Sequence, residues 1–312
     1  MPDERLDLLS ALYRVYPDAA VLMNPQTAHM VIEGHSLMSQ QKVPGVDMQA
    51  RKTEDAIVVE ITVAAGVRVP NPIHTCIGLM APDGAQRVRL HVRLERGASA
   101  ELLAHCLFPN AEHARHVMEA TVEVGEGAEL RHTEGHYHGP YGGIEVIPHA
   151  VVRVDRNGRY FSDFSLTAGR VGRLHVVYKV ETAENAVAEI SARVFGHATD
   201  EIKVEDELVL AGRNSRGLIK TRIAVEDDAR SEVISITHGN AEGARGHMDC
   251  TELVCDRAVA RAEPIVSVEH PLAKVTHEAA VGTVDQKQLE TLMAHGLAPQ
   301  AAVDVIIMGM LR

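Results

Sequence analysis

Turn residues return along this chain at a nearly constant interval, and that regularity limits its possible folds more than any other feature. The passages LERGASAEL at 94–102 and VEVGEGAEL at 122–130 are alike. The pattern continues through Gly97, Gly127, Gly158, Asn185, Asn214, Gly243 and Pro271, at intervals of 30, 31, 27, 29, 29 and 28. A second series, half a period out of phase, passes through Gly143, Gly172, Asp200, Asp228 and Arg257, at intervals of 29, 28, 28 and 29. Two interleaved series of one period mean two turns, and so two main strands, in every coil. The runs between turns, such as AIVVEITV and RVRLHVRL, are β-rich and end at Gly, Asn or Asp. Stacked coils would set their strands in parallel about 4.8 Å apart and bury the inward side chains as continuous ladders. The expected fold is mainly β: a right-handed parallel β-helix, flattened into a solenoid. An antiparallel sandwich with unusually regular hairpins is the alternative.

Outside the repeat the pattern changes at both ends. Residues 1–55 read as a small mixed cap, with a helix begun by Asp3, carrying Leu6, Leu9, Leu12, Tyr13 and Tyr16 on one face and stopped at Pro17. Residues 56–282 form the parallel core. Residues 283–312 are helical: DQKQLETLMAH stops at Gly296, and Pro299 opens a second segment. Leu289, Leu292 and Met293 on the first helix, and Val303, Ile306, Ile307 and Met310 on the second, make apolar faces. These would either cover the open end of the solenoid or dock a partner.

Composition narrows the function classes. Hydrophobic residues make up 46% of the 312, yet there is no Trp and aromatics are only 3%, so Val, Ile, Leu and Ala must fill the core. A formal net charge of −12 disfavours a nucleic-acid backbone as partner, and few aromatics are available to stack on bases. No apolar run approaches the roughly 20 residues of a membrane span, and the acidic start MPDERLDLLSALYR is unlike a signal peptide, so a cytoplasmic location is expected. Four cysteines, Cys76, Cys106, Cys250 and Cys255, are too few for a disulfide scaffold and are expected as thiols. The chain has no GxxxxGK[ST] loop, GxSxG elbow or GxGxxG after a strand.

Two constellations of potential ligands stand out. Counting from Gly243 and Pro271 as equivalent turns, Cys250 stacks on Glu278 and shares its face, while His277 points away unless a one-residue shift reverses the order. Thiolate, imidazole and carboxylate together can hold iron, zinc or a sulfur-bridged cluster. Singly, each is more usually a buried small side chain or a solvated one. The second constellation is RHTEGHYHGP. His136 and His138 could share a strand face and bind a metal, but Gly135, Gly139 and Pro140 assign this stretch, His132 included, to an exposed loop edge.

The stretch VEHPLAKVTHEAAVGTVDQKQLETLMAHGLAPQAAVDVIIMGML, within Val266–Leu311, resembles the C-terminal end of the SufB/SufD family, the scaffolds of the SUF iron–sulfur assembly system. The resemblance implies a parallel β-helix flanked by helices, dimers formed through it, and docking of the ABC-type ATPase SufC on Asp285–Leu311, with Leu289, Leu292, Met293, Val303 and Ile307 as docking residues. It also implies no ATPase activity in this chain. HMDCTELV is similar to the strand that carries the functional cysteine of SufB, which makes Cys250 a sulfur acceptor or thiolate ligand; His277 and Glu278 match the family's interface histidine and the glutamate after it. A transient iron–sulfur cluster held by Cys250, His277 and Glu278, in a homodimer or with a second such chain, is the expectation. Thr276 stands where SufB often has a glutamate, and the cysteine-rich N-terminal motif of SufB is absent, so the choice between SufB-like and SufD-like roles stays open. The rival expectations are a β-helix enzyme acting on acidic polysaccharide and a purely structural SUF partner.

Overall fold

The computed structural model describes residues 24–312. The helix expected from Asp3 to Tyr16 lies outside them. The chain runs through β1 (His29–Glu33), β2 (Ser36–Gln41), β3 (Val46–Lys52), β4 (Ile57–Val63), β5 (Ile73–Gly78), β6 (Asp83–Leu94), β7 (Ser99–Phe108), β8 (His113–Val124) and β9 (Glu129–His138). It goes on through β10 (Ile144–Val154), β11 (Arg159–Leu166), β12 (Gly172–Thr182), β13 (Val187–Gly196), β14 (Glu201–Leu210), β15 (Arg216–Val225), β16 (Arg230–Gly239), β17 (Arg245–Val254), β18 (Val259–Val268) and β19 (Lys274–Gly282). Two helices close the chain, α1 (Gln286–Ala294) and α2 (Pro299–Met310).

From β4 onward the strands alternate between two sheets, the odd ones in order from β5 to β19 and the even ones from β4 to β18. Neighbours within each sheet are parallel. The molecule is thus a parallel β-solenoid, and the sandwich alternative is excluded. Each strand turns alternate side chains into the lumen between the sheets, where they stack on equivalents one coil away. The column Ile61, Val92, Val122, Val152, Val180, Leu208 is in register throughout and is buried along its whole length. Burial of each such side chain contributes roughly 1.5–3 kcal/mol, which is how a core with few aromatics holds.

The turns repeat as faithfully as the strands. Gly97, Gly127, Asn157, Asn185, Asn214 and Gly243 have φ between 56° and 71°, the left-handed region open to Gly and, with its short polar side chain, to Asn. Each of the first five donates its N–H to a turn carbonyl of the next coil at 2.8–2.9 Å. The left-handed residue is Asn157, where counting selected Gly158. On the opposite edge it is Ala198, Asp227 and Asp256, not Asp200, Asp228 and Arg257. There the Asp227 carboxylate accepts the Ala198 N–H at 2.9 Å, and Asp256 accepts from Asp227.

Residues 24–55, which carry no clean sequence period, are also sheet. β1 pairs parallel to β5, while β2 and β3 pair antiparallel to β1 and β4 and end the two sheets. At the other end, capping by the helices is not what the structure has. Ile307 and Leu311 pack on Phe195 and Ala224 of the outer sheet surface, with Val303 and Leu253 beside them, and the last coil stays uncovered. Val259, Ile265, Val266, Val268, Leu272 and Val281 are all exposed there. No helix among the described residues is long and apolar enough to cross a membrane.

Asn185→Val puts a β-branched side chain at φ 56° and is expected to lower stability by about 1–2 kcal/mol, with Asn185→Gly close to neutral. Urea unfolding midpoints of the three proteins check this.

Candidate functional site

Cys250 lies on β17 with its side chain in the lumen, 5% exposed. Register pairs it with Ala279, not with Glu278; Met248 faces His277 and Asp249 faces Glu278. The period across this turn is therefore 29 residues, with Leu272 and not Pro271 equivalent to Gly243. The one-residue shift reverses the expected faces. Cys250 and His277 occupy the lumen side of adjacent strands as diagonal neighbours, and Glu278 is on the outer side. Asp249, beside it, is held by an ion pair with Arg222, which keeps its carboxyl below the usual range. Because no coil follows β19, His277 and Glu278 are exposed while Cys250, one strand inward, is not.

Burial pushes the Cys250 thiol up to about 12, with the Glu252 carboxylate adding to the effect. Glu252 is buried too and its own carboxyl is raised; it accepts from Ser231 Oγ at 2.5 Å. Asp206 lies on the facing sheet, 1% exposed, with neither carboxylate oxygen hydrogen-bonded. Burial alone raises it to about 7. The lumen near Cys250 is thus lined with acids that water does not reach.

A second polar cluster occupies the lumen further back, where the sequence reading placed an exposed loop. RHTEGHYH is the body of β9, and its even positions point inward: His132, Glu134, His136 and His138 are all buried. Glu134 Oε1 lies 2.8 Å from His136 Nε2, and Tyr178 donates to Glu134 Oε2 at 2.9 Å. Cys106 sits beside His136 in register. Its thiol is pushed well up by burial, by Glu134 and by Cys76. Polarity concealed the placement, because inward residues are normally apolar. The signal that finds it is the alternation of two, carried forward from Val122, Val124 and Leu130, which are all inward.

The C-terminal helices divide the five expected docking residues. Ile307 is fully buried and Val303 packs against the chain's own sheet. α1 buries nothing, so Leu289 and Leu292 stay partly open and Met293 is 40% exposed, with Val305 and Met308 of α2 exposed as well. The outer-face carboxylates of Glu119, Glu145 and Glu201 are tied to arginines one coil away, Arg89, Arg115 and Arg173.

The class the fold defines is a parallel β-solenoid with a lumenal thiol, Cys250, and an exposed imidazole, His277, at its open end. Comparison with known proteins identifies the family. Residues 78–310 match the family described as SUF system FeS cluster assembly, SufBD core domain. The chain is 32% identical over 309 residues to an iron–sulfur cluster assembly SufBD family protein of Methanocaldococcus jannaschii, covering 99% of this chain and 98% of that one. It is 30% identical over 304 residues to another of Pyrococcus horikoshii, covering 96% and 93%. A chloroplastic SufBD family protein of Arabidopsis thaliana is 24% identical over 255 residues, 78% of this chain and 46% of that one. The chain belongs to the SufBD family of iron–sulfur cluster assembly proteins, and the polysaccharide reading is set aside.

Asp206 gives the fold a pH dependence of known sign. Its folded carboxyl titrates near 7 and an unfolded one near about 3.9. Between those values the folded chain holds a proton that the unfolded chain has lost. Stability from this group is therefore full below about pH 4 and declines by roughly 4 kcal/mol as pH rises through about 7. Urea midpoints measured from pH 4 to 8 are expected to fall in wild type and to lose most of that slope in Asp206→Asn.

Proposed function

We propose that this chain is a compact SufBD-type scaffold subunit that works with a SufC-type ABC ATPase to build a transient iron–sulfur cluster and hand it on. The observation that carries the reading is the placement of Cys250 and His277 on one face of adjacent strands at the uncovered end. Iron and sulfide are cargo here, not a resident cofactor. A thiolate and an imidazole grip iron through unlike donors, and such a mixed set releases a cluster more easily than four thiolates do. Glu278, on the outer side of the same strand, serves iron only by reaching around the open edge or toward a second copy.

Burial keeps the Cys250 thiol protonated, and a thiol becomes a ligand or sulfur acceptor only as thiolate. Movement of the last coil that admits water would return it toward its ordinary range. An ATPase bound to α1 and the exposed side of α2 is placed to drive that movement, since α2 rests on Phe195 and Ala224 of the sheet that carries Cys250. Partner docking is assigned to Leu289, Leu292 and Met293 with Val305 and Met308. The open edges of β18 and β19, with the exposed Val266, Leu272 and Val281, are where a second copy would pair.

Anaerobic reconstitution with ferrous iron and sulfide, together with the co-expressed ATPase, is the direct test. Cys250→Ala is expected to retain roughly tenfold less iron and sulfide than wild type, and His277→Ala an intermediate amount. Equal retention by wild type and Cys250→Ala overturns the assignment. Pairing is tested separately: Val266→Asp with Val281→Asp is expected to convert a dimer into a folded monomer in light scattering, with an unchanged circular dichroism spectrum.

A further inference from the structure

The lumen holds a group of donors that cluster handling at the open end does not use. Cys106, Glu134 and His136 each offer a ligand atom, and these atoms all lie within 4.8 Å of one another. All three residues are buried, Cys106 completely. They come from the paired strands β7 and β9, while His116 approaches from β8 in the facing sheet, its ring centroid 6.2 Å from that of His136.

Hydrogen bonding fixes which nitrogen of each ring is bare. Gln86 Nε2 donates to the carbonyls of Gly34 and Gly78, so Gln86 Oε1 is an acceptor and His116 Nδ1, 2.8 Å away, carries the proton. In neutral imidazole that leaves His116 Nε2 with a free lone pair. This atom is fully buried and has no hydrogen-bond partner. A similar chain orients His136. The Arg170 carbonyl accepts a hydrogen bond from His138 Nδ1, His138 Nε2 accepts from His136 Nδ1 at 3.4 Å, and His136 Nε2 is turned to Glu134. Tyr178 holds the other oxygen of Glu134. Partners of this kind behind each ligand are what orient a metal site.

We propose that Cys106, Glu134, His136 and His116 form a closed site for one divalent transition-metal ion, zinc(II) or iron(II), inside the solenoid. One sulfur, two nitrogens and one oxygen are a borderline donor set suited to tetrahedral binding of either ion. Bond lengths of that geometry place donors about 3.3–3.8 Å apart, so the spread of Cys106, Glu134 and His136 closes with side-chain shifts of about an ångström, and His116, outside that group, joins by moving its unpartnered Nε2 inward from the facing sheet. The charges also balance. Before binding, one proton lies between Glu134 and His136 and one is on Cys106; the ion displaces both, and thiolate and carboxylate neutralise its two charges, leaving a site of no net charge. A neutral site is what a water-free lumen tolerates. The wall is closed, so the ion is taken up as the coils wind, and it ties the two sheets together near the N-terminal end. This inference does not depend on the role of Cys250.

The test uses the full chain with Cys76→Ala, Cys250→Ala and Cys255→Ala, which leaves Cys106 as its only thiol. It is unfolded with chelator and refolded with cobalt(II), zinc(II) or iron(II) in separate arms, then desalted. One metal equivalent per chain is expected, with a thiolate-to-cobalt charge-transfer band in the cobalt arm; the zinc and iron arms, competed against each other, identify the preferred ion. Adding Glu134→Gln, which keeps shape and thiol, is expected to weaken metal retention against chelator at least tenfold. Should the triple variant fail to fold, Cys250→Ala and the double variant Cys106→Ala with Cys250→Ala are compared in the same way, and the band must vanish in the latter. A folded chain with no stoichiometric metal in any arm, or a band that survives loss of Cys106, overturns the proposal.

Discussion

Parallel backbone pairing between successive coils is the constraint on which everything else in this molecule rests. It holds each strand at one register against the strand a full period away, so a side chain's nearest partners are residues about 29 positions distant in sequence. Hydrophobic columns, turn ladders and outer-face ion pairs all follow from that single rule. Arg115 meets Glu145 and Arg257 meets Asp228, and each such pair is worth little singly. Collectively they favour the native register, because a slip of two residues takes Arg115 from Glu145 to an uncharged neighbour.

The same rule explains how much could be read in advance. Asn185, Asn214 and Gly243 were legible as turns because a left-handed backbone restricts residue choice. Asn157 and Gly158 are neighbours that both tolerate that conformation, so spacing alone does not choose between them. At Pro271 the error mattered more. The last turn has no left-handed residue to mark it, the true equivalent is Leu272, and a slip of one residue exchanged the faces of His277 and Glu278. Solenoid architecture survives such slips, but ligand geometry does not.

The buried histidines were hidden for a different reason. A row of His, Glu, His and His looks solvated by polarity and inward by phase, and here phase was the better guide. Glu134 and His136 are tolerated inside because they pair with each other and Tyr178 satisfies the remaining oxygen. What could not be read at all was the position of α2. Its apolar face is plain in the sequence, yet nothing in the periodicity says that it lies on Phe195 and Ala224 rather than across the end of the coil.

The two ends of the solenoid differ, and the difference limits how copies can join. Antiparallel β2 and β3 finish the sheets at the N-terminal end, whereas β18 and β19 finish the other end with an unmatched parallel edge. Were both ends alike in exposing such an edge, head-to-tail stacking would repeat without limit and give filaments. A second copy that paired through the β18 and β19 edge about a two-fold axis would use the same surface on both chains, and a contact of that kind closes at two.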